Sequence, residues 1–316
     1  MITVLSGGTG GAKFIQGLAQ VVPSENLSII VNTGDDLTWW GLHVSPDLDS
    51  VMYGLAGILS PERGWGIDGE TFACLETARR LGLPAWFQLG DRDLALHLAR
   101  TEMLRSGRKL DQATAEIAQR HGIRAAILPM SNDRVETRVL TDGGELNFQE
   151  YFVREHYRPE PLGVRFVGAE DAQPAPGVLR AIAEAEAILI APSNPITSVG
   201  PILSVPGIRE AIRQTQAPIA AVSPIVSDAA VSGPAAALMR CAGLDVSCRG
   251  VASAYRDFLN VLIADDRDRN SDLALNLNIP VHFCDTMMTS DEVKTELARE
   301  TLSALKNFYY KEVVAS

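Results

Sequence analysis

The stretch Ile2-Thr-Val-Leu-Ser-Gly7-Gly8-Thr9-Gly10-Gly11-Ala-Lys13 decides how the chain is read. A β-branched apolar run meets a glycine cluster, and behind it Phe14, Ile15, Leu18, Val21 and Val22 recur at helical spacing until Pro23. This is strand, glycine turn, helix. Further apolar runs stand at Leu27–Val31, Ala187–Ala191, Ile219–Val222, Val261–Ala264 and Val281–Cys284. Helical patterns lie between or after them, at Val178–Glu186, Ile208–Gln214, Pro234–Ala242 and Asp291–Phe308. Several of the strands are apolar throughout, which predicts a mostly parallel sheet covered on both faces. The fold class is therefore α/β, a Rossmann-like three-layer core.

The middle of the chain reads differently. Glu70–Leu81, Asp91–Arg105 and Asp111–Arg120 are helical patterns, and Val135–Leu140 with Leu146–Phe152 alternate around Asp142-Gly-Gly144, a hairpin signal. The expected division is a core of residues 1–63 and 169–316, with an α+β insertion subdomain at 64–168. The charged run Asp265–Arg269 is expected to be a solvated loop.

Across 316 residues, 46% hydrophobic and 21% charged fit a packed globular protein and argue against disorder. The net charge of −11 gives no general attraction for nucleic acid or an anionic membrane. No window approaches the roughly 20 apolar residues needed to span a bilayer. Met1–Gly11 lacks the basic segment of a signal peptide. Cys74, Cys241, Cys248 and Cys284 are scattered, without a C-x-x-C pair, as expected of thiols in a reducing compartment. A cytoplasmic protein is expected.

Glycines 7, 8, 10 and 11 after the first strand let the backbone turn tightly and approach a ligand, and amides opening the next helix favour an anion. Lys13 stands where a dinucleotide fingerprint needs its third glycine, and Phe14 where a Walker A loop needs Ser or Thr. The alternatives are phosphate contact, with Thr9 and Lys13 in the same loop, or close strand–helix packing alone. Lys13 is either a phosphate contact or a solvated helix residue.

A second cluster, Asn32-Thr-Gly-Asp35-Asp36, ends the second strand and is followed by Asp47-Leu-Asp49. From Phe14 to Glu62 there is no Lys or Arg, against six acidic residues. Carboxylates gathered without basic partners repel one another unless a hard cation sits among them, which favours magnesium on Asp35, Asp36 and Asp49. The alternative is that they are turn residues and helix caps. Gly90-Asp-Arg-Asp93 opens a helix. There Asp91 or Asp93 caps it, or Arg92 is held to grip a phosphate or a planar ring. Arg63-Gly-Trp-Gly66 places an Arg and an aromatic on a possible lid loop. Ser193 and Asn194 follow one buried strand and Ser223 another, short polar side chains suited to reading a base or phosphate. The dispersed histidines show no metal-ligand spacing, and no G-x-S-x-G elbow is present.

Seven blocks in order then resemble the CofD-type 2-phospho-L-lactate transferases. They are Gly7–Lys13, Asn32–Asp36, Pro46-Asp-Leu-Asp-Ser-Val-Met-Tyr53, Arg63–Gly66, Gly90–Asp93, Phe148-Gln-Glu-Tyr-Phe152 and Pro192-Ser-Asn-Pro195. The likeness runs from Met1 to about Ser290, and departs mainly in the loop Asp265–Asn270 and the C-terminal tail. It implies a magnesium-dependent enzyme late in the biosynthesis of the deazaflavin coenzyme F-420. The acceptor implied is the deazaflavin Fo, and the donor a guanosine diphosphate joined to a lactyl, enolpyruvyl or glyceryl acid. The ribityl hydroxyl of Fo attacks the phosphorus next to the acid, and GMP leaves.

On that likeness, Asp49 and Arg92 touch Fo, with Asp49 either a metal ligand beside Asp35 or the base for the hydroxyl. Ser193, Asn194 and Ser223 lie on the guanosine side, and Asp49→Asn is expected to abolish transfer with little loss of stability. A homodimer is the default assembly. The nearest rival is a nucleotide-sugar-binding regulator of the gluconeogenesis-factor type. A nicotinamide-dependent oxidoreductase is disfavoured by the missing third glycine.

Overall fold

The computed structural model describes residues 1–269 and 279–315. The chain opens with β1 (Ile2–Ser6), α1 (Gly8–Leu18) and β2 (Leu27–Val31), and a small hairpin of β3 (Leu37–Trp39) and β4 (Leu42–Val44) leads into α2 (Pro46–Leu55). Three helices follow, α3 (Ala73–Arg80), α4 (Asp91–Arg105) and α5 (Leu110–Arg120), and then β5 (Ala126–Pro129). An antiparallel sheet of β6 (Glu136–Thr141), β7 (Gly144–Asn147) and β8 (Gly163–Val167) precedes α6 (Val178–Ala183) and β9 (Ala187–Ile190). After these come α7 (Val199–Ser204), α8 (Ile208–Gln214), β10 (Ile219–Val222) and a short ladder of β11 (Ile225–Val226) with β12 (Ala229–Ala230). The remaining elements are α9 (Ala235–Cys241), α10 (Cys248–Ala254), β13 (Val261–Asp265), β14 (Val281–Cys284) and α11 (Asp291–Ala315).

The central sheet has seven strands in the order β14-β13-β10-β9-β1-β2-β5, and every neighbouring pair is parallel. Successive side chains of a strand point to opposite faces, so β1 sends Val4 into one core and Leu5 into the other. On the Val4 side lie Phe14 and Ile15 of α1, Leu48 and Met52 of α2, Ile117 of α5 and Leu297 of α11. On the Leu5 side lie Ile182 of α6, Ile202 of α7, Ile208 and Ile212 of α8 and Val251 of α10. This is the Rossmann-like three-layer arrangement expected. β1 has β2 on one flank and β9 on the other, so the strand order reverses beside it. The crevice at the carboxyl ends of β1 and β9 is where such sheets bind ligands. Among the described residues, no helix is long and apolar enough to cross a membrane.

Three expectations need correction. Ala126–Pro129, inside the stretch read as one insertion, is the edge strand of the central sheet and pairs with β2. Four residues ended by a proline carry too little pattern to stand out from the helices before them. The hairpin is real, with Thr141 opposite Gly144, but its second strand stops at Asn147. Glu150–Arg154 winds into a single π-helical turn instead. Asp265 and Asp268 of the charged run are buried, at 0% and 3% exposure. Asp265 accepts hydrogen bonds from the amide and hydroxyl of Thr286, both at 2.9 Å, and so ties the ends of β13 and β14 together. Asn270, which completes that loop, and Ser316 of the tail lie outside the described residues.

Candidate active site

The loop between β1 and α1 sits against the exit of β9. Ser193 Oγ donates to the Gly7 carbonyl at 2.7 Å and lies 3.3 Å from the Gly7 amide. Two glycines explain the composition here. Gly8 has φ +68°, and a Cβ on Gly10 would stand 2.5 Å from the Pro192 carbonyl oxygen. Asn32, at the exit of β2, is wholly buried and binds the site together: its Nδ2 donates to Asp47 Oδ2 at 2.8 Å, and its Oδ1 accepts from the Gly34 amide at 2.8 Å. The Asp47 carboxylate also accepts from the Gly8 amide. A side chain of the protein thus already uses the first amide of α1, leaving those of Thr9 and Gly10 in the first turn for an incoming anion.

Asp35, Asp36 and Asp47 form an acidic pocket poor in positive charge. Asp35 and Asp47 are 5% and 6% exposed. Burial pushes Asp35 well above the usual carboxylate range, and the negative charge of Asp47 adds to it. Asp47 is pushed up to about 6, again chiefly by burial, while the Asn32 amide and the Gly8 N–H pull the other way. Burial also raises Asp36, against the pull of His43 and Ser45. Asp36 Oδ2 takes the Ser45 hydroxyl at 2.6 Å and His43 Nε2 at 3.0 Å. Asp35 Oδ1 and Asp36 Oδ1 are buried without any hydrogen-bond partner, and so is the nearby Thr33 hydroxyl. Two orphaned anionic oxygens in one pocket suit a hard divalent cation.

Asp49 belongs to a different neighbourhood. Both of its oxygens are held by the buried guanidinium of Arg100, Nη1 to Oδ2 at 3.1 Å and Nη2 to Oδ1. His97 Nδ1 lies 3.7 Å from Asp49, and its Nε2 lies 3.2 Å from Asp93, which accepts from the Tyr53 hydroxyl. Burial works against a charged Asp93, yet His97, Tyr53 and Arg100 outweigh it and lower its pKa. Asp49, Asp93 and His97 are the group of possible metal ligands that the described residues bring within 4.8 Å of one another. Arg100 answers the charge of Asp49, while Asp93 is held by His97 and Tyr53. Of the set expected to share a cation, Asp35 and Asp36 follow β2 while Asp49 stands beside Arg100 in the first turn of α2, near enough for its charge to raise Asp47.

The remaining expected residues are placed as follows. Ser193 is at the glycine loop. Asn194 turns its own segment, its Oδ1 accepting from the Ile196 amide at 2.9 Å. Ser223 does the same one strand further out, exchanging hydrogen bonds with Ile225. Arg92 is exposed, its Nη1 donating to the Asp68 carbonyl at 3.0 Å. Asp91 is a cap, as its alternative reading held, but for α3: it accepts from the Ala73 and Cys74 amides and the Thr71 hydroxyl. Glu70 returns the favour at the start of α4, taking the Arg92 and Asp93 amides. Lys13 is half-buried, its ammonium 3.6 Å from where a Gly64 Cβ would stand. Arg63 lies over the adjoining rings of Trp65 and Phe72, at 5.5 and 5.6 Å.

Arg100, His97, Tyr53, His43 and Ser45 were not singled out from sequence. Asp93, His97 and Arg100 do stand at i, i+4 and i+7, one face of α4, and that spacing is a readable signal of a buried polar stripe.

Fold and side chains together define a parallel α/β protein in which helix-opening amides and buried carboxylates meet at the carboxyl edge of the sheet. The chain belongs to the family described as 2-phospho-L-lactate transferase CofD, whose profile matches residues 2–299. It is 44% identical over 296 residues to the 2-phospho-L-lactate transferase of Methanosarcina acetivorans, covering 93% of this chain and 96% of that one. It is 43% identical over 310 residues to the phosphoenolpyruvate transferase of Kitasatospora aureofaciens, covering 96% and 97%. Among solved structures, a UPF0052-family protein from Bacillus halodurans superposes with a TM-score of 0.64 at 18% identity, over 95% of this chain and 98% of that one. That likeness concerns the fold. The chain is accordingly an enzyme of the CofD phosphotransferase family.

Proposed function

We propose that this enzyme moves a phospho-three-carbon-acid group from a guanosine diphosphate-linked donor to the ribityl hydroxyl of the deazaflavin Fo, a late step toward coenzyme F-420. The observation that carries the reading is the pocket of Asp35, Asp36 and Asp47 beside the glycine loop. Phosphoryl transfer asks for positioning and charge neutralisation rather than covalent help from the protein. The amides of Thr9 and Gly10, with Lys13 one turn on, hold diphosphate oxygens. Asp35 and Asp36, through their unpartnered oxygens, and the charge of Asp47 would hold a magnesium ion, which would offset the charge developing on the leaving group.

The hydroxyl oxygen bonds to the phosphorus beside the acid, the bond from that phosphorus to the bridging oxygen breaks, and GMP departs with the electron pair. The hydroxyl proton passes to solvent or to a carboxylate. Asp49, oriented by Arg100 and with lone pairs left on both oxygens, is either a metal ligand or the base that takes this proton. The relatives named for phospholactate and for phosphoenolpyruvate leave two donor acids in view, with the glyceryl form as a third. Incubating the protein with Fo, magnesium and each donor, then weighing the products, tests the reading. The expected result is GMP together with Fo extended by a phospho-acid from at least one donor. No product from any donor defeats it.

A further inference from the structure

We infer that Arg63, with Lys13 beside it, recognises the carboxylate of the three-carbon acid carried by the donor. In naming a donor this rests on the transferase reading above; the cation site itself rests on geometry. Among the described residues, Lys13 and Arg63 are half-buried with no carboxylate partner, whereas every other lysine or arginine is either paired with a carboxylate or exposed. The two also meet. The Lys13 ammonium lies 3.6 Å from where a Gly64 Cβ would stand, one residue along from Arg63. Lys13 stands one turn after Thr9 on the same face of α1, close to the amides that open the helix.

The loop that carries Arg63 holds it still. It follows α2 and is closed by its own backbone: the Gly64 amide donates to the Ser60 carbonyl and the Ser60 amide to the Gly66 carbonyl, both at 2.9 Å. Leu59 and Ile67 pair across its base. The rings of Trp65 and Phe72 under the guanidinium attract a cation without neutralising it. Arg63 Nη2 donates to the Ile67 carbonyl at 2.7 Å, and Nε is buried with no partner. Its contacts within the protein are thus aromatic faces and a neutral carbonyl, and its charge is left unanswered in a chain of net charge −11. A fixed guanidinium with donors to spare suits a planar carboxylate, which it can meet with two parallel N–H groups.

The chemistry of the donor gives that carboxylate its place. In a lactyl or an enolpyruvyl donor, the carbon joined to the phosphate oxygen also bears the carboxylate. A phosphate resting on the Thr9 and Gly10 amides and on Lys13 therefore sets the carboxylate next to Lys13, where the loop brings Arg63. The two acids differ in a methyl against a methylene group, which a carboxylate anchor does not read. One anchor thus accepts either donor and rejects a diphosphate ester that lacks the acid.

The test is calorimetric titration of the wild-type enzyme, R63Q, R63K and K13Q, with magnesium present, against two compounds. One is guanosine diphosphate joined to lactate; the other is the ethyl ester of guanosine diphosphate, which keeps the diphosphate and lacks the carboxylate. Wild type binds the lactyl compound about 30-fold more tightly, in the range of a hydrogen bond to a charged group. R63Q narrows that preference to about threefold, while its affinity for the ethyl ester stays within about twofold of wild type. R63K keeps the charge without the fork and narrows the preference to about tenfold. K13Q weakens both compounds alike, because Lys13 meets the phosphate they share.

The inference is overturned if wild type shows no preference for the lactyl compound, or if R63Q keeps the preference undiminished. It is overturned equally if R63Q weakens both compounds by the same factor, which makes Arg63 a support of the loop only. A preference that disappears in K13Q and survives in R63Q puts the acid on Lys13 and also counts against it. If R63Q does not fold, R63K decides, and an unchanged preference in R63K overturns the role. A wild-type enzyme that prefers the lactyl compound yet forms no product with Fo defeats the transferase reading instead. Product formation together with a preference untouched in R63Q defeats this inference alone.

Discussion

Two acidic pockets lie side by side in this protein, and they are neutralised in opposite ways. Around Asp49 and Asp93 the partners come from within: Arg100 meets both oxygens of Asp49, and Tyr53 and His97 meet Asp93. Around Asp35, Asp36 and Asp47 such partners fall short: burial raises all three carboxyls, and two of their oxygens have no partner at all. A paired carboxylate of the first kind is held in one orientation, whereas an under-neutralised pocket of the second kind is a place for an exchangeable ligand. The comparison teaches that aspartates only a few residues apart in sequence can have unlike partners.

The comparison can be broken most directly by emptying the closed pocket. R100M leaves the Asp49 carboxylate buried and unpaired, and is expected to cost about 3–5 kcal/mol in denaturant unfolding. Asp49→Asn, expected from sequence to spare the fold, strips Arg100 of its charged partner and belongs with R100M among the destabilising changes. The open pocket should respond in the reverse sense. Asp35→Asn removes a buried charge that Asp47 repels, so it raises the melting temperature of the metal-free protein while lowering kcat about 100-fold, roughly 2.7 kcal/mol in the barrier. A drop in melting temperature for Asp35→Asn would show that Asp35 is as well paired as Asp49.

Gly10→Ala, at the loop facing the open pocket, drives a methyl toward the Pro192 carbonyl and is expected to cost about 1–3 kcal/mol, read by the same unfolding curves. The smallest effect is a pH dependence. Asp47 binds its proton more tightly folded than unfolded, with a folded pKa of about 6. Its protonated form therefore favours the folded state. That contribution is present below the ordinary carboxylate range and is lost as pH rises to about 6. The metal-free melting temperature should fall by a few degrees across that window. Added magnesium should restore it more at neutral than at acid pH.

Much of the fold was legible because β1, β2, β9, β10 and β13 are apolar runs with helical periods between them, which is what a doubly covered parallel sheet requires. β5 was not, since four residues next to a helix carry no period of their own. At the site, the glycine loop and the exits of β2 and β9 were readable from position alone. The pairing of Asp49 was not readable, because it depends on Arg100, more than fifty residues further along the chain. The absence of Lys and Arg between Phe14 and Glu62 suggested one metal pocket, and the fold answers part of that deficit, at Asp49, from α4. The acidic run Asp265–Arg269 misled for a related reason, its carboxylates being consumed by backbone amides and hydroxyls at the end of the sheet.

The central claim is that the open pocket binds a guanosine diphosphate group through a divalent cation. Calorimetric titration of the wild-type protein with GDP, with magnesium and then with chelator present, tests it most directly. The account predicts saturable GDP binding that weakens about tenfold or more without magnesium, and weaker binding of a UDP-sugar under the same conditions. Equal GDP affinity with and without the metal, or a preference for the uridine compound, would contradict it.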